Sequence, residues 1–314
     1  MKALMHHRYG GPELLTIGER EPPALRPREV LVRVRASSVN AADWLMMTGS
    51  PWPLRFMIGL TRPTRQCLGL DVAGEVVRTG SAVTSLAPGD AVFGECRGAF
   101  AELAVAHEEQ LAKKPGSVSF EDVSTLPVAG TTALQGLRDK ANVGPGHRVL
   151  INGASGGVGS FAIQIGHALG AEVTAVCSQR NAAAAQRLGA AHVIDYRERD
   201  FSETDERYDT IFDLIGKTPL QRCLRVLTAN GRYVSSVGRL GWVFKAGLMS
   251  LCPRSRVRVL SANANTRDLE TLASLIEQEK ITPLIEHRYT FDRLPEALRR
   301  QGQGHAGGKS VVVV

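Results

Sequence analysis

The stretch 149-VLINGASGGVGSFAIQIGHALG-170 decides how the rest of the chain is read. It begins within an apolar run, 148-RVLIN-152, that reads as a strand and meets glycine at once. Beyond the glycines, apolar residues recur at Val158, Phe161, Ala162, Ile165 and Leu169, the spacing of a helix with one buried face. Strand, glycine turn and helix in that order are the context a dinucleotide fingerprint requires. Gly156 and Gly159 match its second and third glycines, and Ala154 stands at the first. Gly156 lets the backbone approach a pyrophosphate, and Gly159 lets the helix pack closely on the strand. The N–H groups at the helix start, those of Gly157 and Val158 among them, then hold the phosphates.

The next strand candidate, 172-EVTAVC-177, bears on which dinucleotide is held. It runs into Ser178-Gln179-Arg180-Asn181, without the carboxylate that NAD-preferring sites carry there. A hydroxyl and a guanidinium suit a 2′-phosphate, so the expected cofactor is NADPH, held by Ser178 and Arg180. The plain alternative makes Arg180 a solvated residue opening the next helix.

Two rival owners of glycine turns fail. The run 153-GASGGVG-159 also fits the turn of short-chain dehydrogenases, but those chains begin with it and use a later Tyr-x-x-x-Lys pair. No tyrosine here has lysine four positions on. The second rival, 304-GHAGGKS-310, resembles a nucleotide P-loop, but Gln303 stands where the first glycine is needed and 311-VVVV-314 follows in place of a helix.

A chain of 314 residues is comfortable for two domains, and 43% hydrophobic with 22% charged residues is an ordinary globular composition. No apolar run approaches the roughly 18 residues of a membrane span, and MKALMHHRYG lacks a secretory h-region, so a cytoplasmic location is expected. The net charge of +7 rests on 30 arginines among 38 basic residues, scattered along the chain, which argues against a nucleic-acid footprint. The five cysteines lie far apart with no C-x-x-C pair, as free, buried or half-buried thiols do.

The first 115 or so residues read as strands and turns, with 29-EVLVRVRAS-37, 70-LDVAGEVVRTG-80 and 90-DAVFGE-95 as strands and 85-SLAPGD-90 as a turn. From about residue 121, strand candidates alternate with helices. The strands are 148–152, 172–177, 192-HVID-195, 208-YDTIFDLI-215 and 232-RYVSSV-237. That alternation predicts a doubly wound parallel sheet. A helix over 267–280, a strand over 286–291, a helix near 295–300 and the terminal 310-SVVVV-314 follow.

Six segments occur in one order: 38-SVNAAD-43, 67-CLGLDVAGEV-76, 86-LAPGDAVFG-94, 126-LPVAGTTALQGL-137, 149-VLINGASGGVG-159 and 304-GHAGGK-309. Through them the chain resembles the medium-chain dehydrogenase/reductase superfamily, in its zinc-independent quinone oxidoreductase-like branch. The resemblance implies an α/β protein: a GroES-like β-rich catalytic domain (1–120 and 266–314) plus a Rossmann doubly wound parallel-sheet nucleotide-binding domain (121–265). Zinc enzymes of the superfamily place cysteine where Asn40 stands and His-Glu where Leu70-Asp71 stands. Asparagine and leucine supply neither thiolate nor imidazole, so no metal is expected.

The resemblance also assigns residues. Asn40 and Thr132 should lie beside the nicotinamide end, with the Asn40 amide donating to ribose or substrate oxygen. Tyr196 should contact the adenosine phosphate. By themselves Asn40 is a turn residue, Thr131 and Thr132 caps at the opening of a helix, Tyr196 a partly exposed tyrosine, and Asp43 a helix cap. The segments 44-WLMMTGSPWPLRFMIGL-60 and 239-RLGWVFKAGLMSL-251 should line a cleft for a flat apolar acceptor, or else be core or subunit interface. The implied activity is NADPH-dependent hydride transfer to quinones or α,β-unsaturated carbonyl compounds by a homodimer. The alternatives are an enoyl-thioester reductase and an NADPH-binding structural or regulatory protein with little turnover.

Overall fold

Among the described residues (1–236, 255–304 and 306–314 of a computed structural model), fifteen strands form. They are β1 (Lys2–Met5), β2 (Thr16–Glu19), β3 (Glu29–Val39), β4 (Asp71–Thr79), β5 (Ala91–Glu95), β6 (Leu103–His107) and β7 (Leu111–Lys113). Then follow β8 (Arg148–Asn152), β9 (Glu172–Cys177), β10 (His192–Asp195), β11 (Tyr208–Asp213), β12 (Leu227–Ser235), β13 (Val257–Val259), β14 (Ile285–Thr290) and β15 (Lys309–Val313). The segment 239–251, Cys252 and His305 lie outside the described residues.

One unit comprises Met1–Val128, Ala264–Glu277 and Ile285–Val314. Its seven-stranded sheet runs β14-β15-β3-β4-β5-β7, with β6 also on β3. In β3 the alternation of Val30, Val32 and Val34 with exposed Arg33 and Arg35 turns one face inward, as a two-residue period demands. Those valines pack with Val72, Val76 and Val92 of the next strands. Past Ala36 the alternation stops, and Ser37, Ser38 and Val39 are all buried because β15 pairs with this half of β3. The β1–β2 hairpin carries too few apolar residues in period to be legible in sequence.

The second unit comprises Ala129–Asn263 and Gln278–Leu284. Its sheet, β10-β9-β8-β11-β12-β13, is parallel throughout, the doubly wound arrangement that the strand–helix alternation predicts. Strand order reverses between β8 and β11, where ligands of such sheets bind outside the carboxyl ends. Helix Gly157–Ala168 is buried continuously from Gly159 to Gly166, beyond the single face its spacing predicts. The segment Gln278–Leu284 supplies the reason. Gln164 donates from Nε2 to the Thr282 carbonyl at 3.0 Å and accepts from the Thr282 N–H at 2.7 Å, so its outer side is paired.

Two local expectations change. Thr131 and Thr132 do not open a helix. The helix is Pro127–Gln135, and proline at its start leaves the threonines in its interior, both buried. Within 44–60, helix Ala41–Thr48 gives way to short turns that leave Trp52, Phe56, Met57 and Leu60 exposed. These side chains are not core.

Candidate active site

In the second unit the glycine turn has the geometry of a phosphate cradle. Gly153 is left-handed at φ 89°, and the N–H groups of Gly153 and Ala154 both donate to the Val176 carbonyl, tying the turn to β9. A Cβ on Gly159 would sit 2.2 Å from the Gly153 carbonyl oxygen and 2.7 Å from Ala154 backbone, so only glycine lets this helix start so close to the strand. A Cβ on Gly156 would meet nothing nearer than 3.6 Å. The protein leaves space there, beside the Gly157 and Val158 N–H groups at the helix N-terminus.

The reversal point is braced beneath the turn. Buried Asp213, ending β11, accepts from Asn152 Nδ2 at 2.9 Å and from the Ile215 and Gly216 N–H groups at 3.0 Å. Its other oxygen accepts from the Tyr233 hydroxyl at 2.6 Å. Burial and the Asp213 charge push the Tyr233 phenol far up, so it acts as a donor.

The register pairing Cys177 with Asp195 brings Ser178–Arg180 and Tyr196 out of adjacent strand ends. The Asp195 carboxylate accepts from the Gln179 and Arg197 N–H groups, each at 2.9 Å, and fixes both turns. Ser178 is buried and accepts from Asn181 Nδ2 at 3.4 Å, whereas Arg180 and Tyr196 are exposed. Arg197, which the sequence reading missed, places its guanidinium 5.9 Å from the Tyr196 ring centroid. Its adjacency to Tyr196 was the available signal.

In the first unit Asn40 and Asp71 meet a residue the sequence reading gave no role, Lys309. Asp71, fully buried, accepts at Oδ2 from Ser38 Oγ, from Asn40 Nδ2 at 2.8 Å and from Lys309 Nζ at 3.3 Å. Its Oδ1 accepts from the Val128 N–H at 2.9 Å. Lys309, 3% exposed, also donates to Asn40 Oδ1 at 2.6 Å and the Val39 carbonyl at 3.4 Å. The Asn40 amide is therefore already engaged. Its remaining hydrogen makes only a 3.3 Å contact with the Ser38 carbonyl.

The family signature described as "Alcohol dehydrogenase GroES-like domain" matches residues 26–116, and that of "Zinc-binding dehydrogenase" matches 188–312. The chain is 30% identical to a chloroplast envelope quinone oxidoreductase homolog of Arabidopsis thaliana, over 99% of this chain and 98% of that one. It belongs to the medium-chain dehydrogenase/reductase superfamily, in the quinone oxidoreductase-like branch. Among solved structures, the quinone oxidoreductase from Coxiella burnetii superimposes with a TM-score of 0.90 at 29% identity, covering 100% of this chain and 99% of that one. The Escherichia coli quinone oxidoreductase complexed with NADPH gives 0.83 at 25% identity, covering 100% of both.

As a member of this branch the protein is an NAD(P)H-dependent oxidoreductase of GroES-like plus Rossmann architecture. Among its described residues no three of His, Cys, Asp and Glu stand together as a metal ligand set, and no helix is long and apolar enough to cross a membrane.

The cap of helix Ala41–Thr48 is Asn40, and Asp43, expected as a cap, is instead its partner three residues on, at N3. Asp43 accepts from the Asn40 N–H at 2.8 Å and the Gly69 N–H at 3.2 Å. Burial, reinforced by the Asp71 charge, pushes its carboxyl up to about 7. Glu95, paired across β4–β5 with Asp71, also rises to about 7, through burial and then the Asp71 charge. The folded state thus keeps a proton on Asp43 that the unfolded chain releases near its ordinary value of 3.8. Its contribution is neutral below that value and becomes increasingly unfavourable as pH rises toward 7. The slope approaches about 1.4 kcal/mol per pH unit for one group. Urea unfolding at pH 5, 6 and 7 should show a shallower decline for Asp43→Asn than for wild type. Parallel declines would refute the assignment.

Proposed function

We propose that this chain reduces quinones or α,β-unsaturated carbonyl compounds with NADPH at a zinc-free site. The buried Asn40–Asp71–Lys309 set carries the reading. Asn40 and Leu70 stand where zinc relatives keep the cysteine and the histidine, and Asp71 is already engaged by Asn40 and Lys309, so the set offers neither thiolate nor imidazole. Without a Lewis acid to polarise a simple carbonyl, acceptors that are already electron-poor are favoured. NADPH, when bound, supplies the hydride.

The work of the chain itself is binding and orientation. Ala154, Gly156, Gly157, Val158 and Gly159 form the pyrophosphate cradle. Ser178, Arg180 and Tyr196 serve the 2′-phosphate end, with Ser178 acting from beneath the loop because its side chain is buried. Asn40 and Thr132 serve the nicotinamide end. We take the protein to work in the cytoplasm as a homodimer, which light scattering and cell fractionation check.

NADPH absorbance followed with a panel of ortho- and para-quinones, enals, enones and a crotonyl thioester tests the reading. Turnover of quinones or enones supports it. NADPH binding without turnover of any acceptor refutes it, as does one tightly held zinc per chain in elemental analysis. Arg180→Ala should weaken NADPH binding ~10–100-fold, the scale of a charge-assisted contact, while leaving NADH affinity unchanged. Equal losses for both cofactors, read by fluorescence titration, would remove Arg180 from the 2′-phosphate site.

A further inference from the structure

The lysine of 304-GHAGGKS-310 has no role in the cradle and is nonetheless buried to 3% exposure. A lysine is that deeply buried only when its ammonium is paired. The register explains its position. Ser310 pairs with Val39 across β15 and β3, so Lys309, one residue earlier, falls beside Asn40, one residue later. Its three donors then meet Asn40 Oδ1 at 2.6 Å, Asp71 Oδ2 at 3.3 Å and the Val39 carbonyl at 3.4 Å.

An ammonium only donates. The Asn40 atom 2.6 Å from Nζ must therefore be the carboxamide oxygen, which turns the amide nitrogen toward Asp71 at 2.8 Å and the Ser38 carbonyl at 3.3 Å. Lys309 and Asp71 together read the two ends of one amide, cation on oxygen and carboxylate on nitrogen. Neither could hold that orientation alone. With Asp71 as the sole partner, the carboxamide would keep one contact and gain freedom about its last torsion.

We propose that Lys309 is a positioning residue of the reductase: its ammonium locks the Asn40 carboxamide in the single orientation the reaction uses. The proposal rests on reading the Asn40 side of the site as that of a reductase. Lys309 itself touches neither cofactor nor acceptor in this role. It acts through Asn40, at the place where zinc relatives put a ligand.

The test is a double-mutant cycle on the full-length protein with NADPH and a quinone. Lys309→Met should lower kcat ~10–100-fold, with KM and the NADPH Kd within about threefold. Asn40→Ala should show a similar loss, and Lys309→Met on that background should cost nothing further. Additive losses, or an unchanged kcat in Lys309→Met, overturn the proposal.

A readout independent of turnover separates this from failure of the reductase reading. The Asn40 side-chain NH2 signals, assigned by their absence in Asn40→Ala, should be well separated in wild type and exchange slowly. In Lys309→Met they should move toward the positions of a free carboxamide and exchange faster with solvent. Unchanged signals in a folded Lys309→Met overturn the assignment whether or not any acceptor is reduced. Should Lys309→Met not fold, Lys309→Met with Asp71→Asn removes both charges together. It should recover stability while kcat stays low and the Asn40 signals stay at free-carboxamide positions. Recovery of kcat along with stability would show that Lys309 is only structural.

Discussion

Gly159→Val is expected to weaken NADPH binding by about 100-fold or more, roughly 2.7 kcal/mol. The added Cβ would lie 2.2 Å from the Gly153 carbonyl oxygen and 2.7 Å from Ala154 backbone atoms. All of these are main-chain atoms, which no rotamer change can move aside. The helix start must shift away from β8, at an overpacking cost of about 1–3 kcal/mol, and it takes the Gly157 and Val158 N–H groups with it. Both melting temperature and NADPH affinity should therefore fall. Gly156→Ala is the contrast, since its Cβ meets no atom within 3.6 Å. That variant should melt like wild type yet bind NADPH more weakly, because the methyl fills the space left for the ligand. Wild-type affinity in Gly159→Val, by isothermal titration calorimetry, would end the cradle assignment.

Asp71→Ala should be the most destabilising single change in the other unit, by about 3–5 kcal/mol, the usual cost of removing one partner of a buried ion pair. It strips an acceptor from Ser38, Asn40, Lys309 and the Val128 N–H at once. The Lys309 ammonium would be left with two neutral oxygens. Adding Lys309→Met should recover at least half of the loss, because the uncompensated charge leaves with the side chain. Urea midpoints at constant m give both numbers. A loss below about 1 kcal/mol for Asp71→Ala would mean that water reaches the pair and that its burial is overstated.

The parallel sheet was legible because buried parallel strands write themselves as apolar runs, β8 and β9 most plainly. The glycine turn was legible because a backbone clearance forces Gly159, whose Cβ would lie 2.2 Å from the Gly153 carbonyl oxygen. Burial around helix Gly157–Ala168 was not, since one of its coverings, Thr282, lies 118 residues from Gln164. Thr131 and Thr132 were misplaced at a helix opening because Pro127 starts the helix a turn earlier. Lys309 was given no role for a different reason. Its glycine-rich surroundings suggested a phosphate loop, and once that failed nothing local showed that β15 would carry it to Asn40. Cross-strand neighbours distant in sequence leave no periodic trace.

The insertion of β15 between β14 and β3 has a consequence for biosynthesis. Asn40 and its partner Lys309 are separated by 269 residues. At translation speeds of roughly 5–20 residues per second, Asn40 waits on the order of 15–50 s for it. Throughout that interval the half of β3 holding Ser37 to Val39 is an open edge, with hydrogen-bonding groups bare to any other nascent strand. The nucleotide-binding strands β8 to β13 are all synthesised before β15. The newborn chain thus has its parallel sheet and glycine turn before its charge network is closed, and through that window β3 is the edge a chaperone would have to shield.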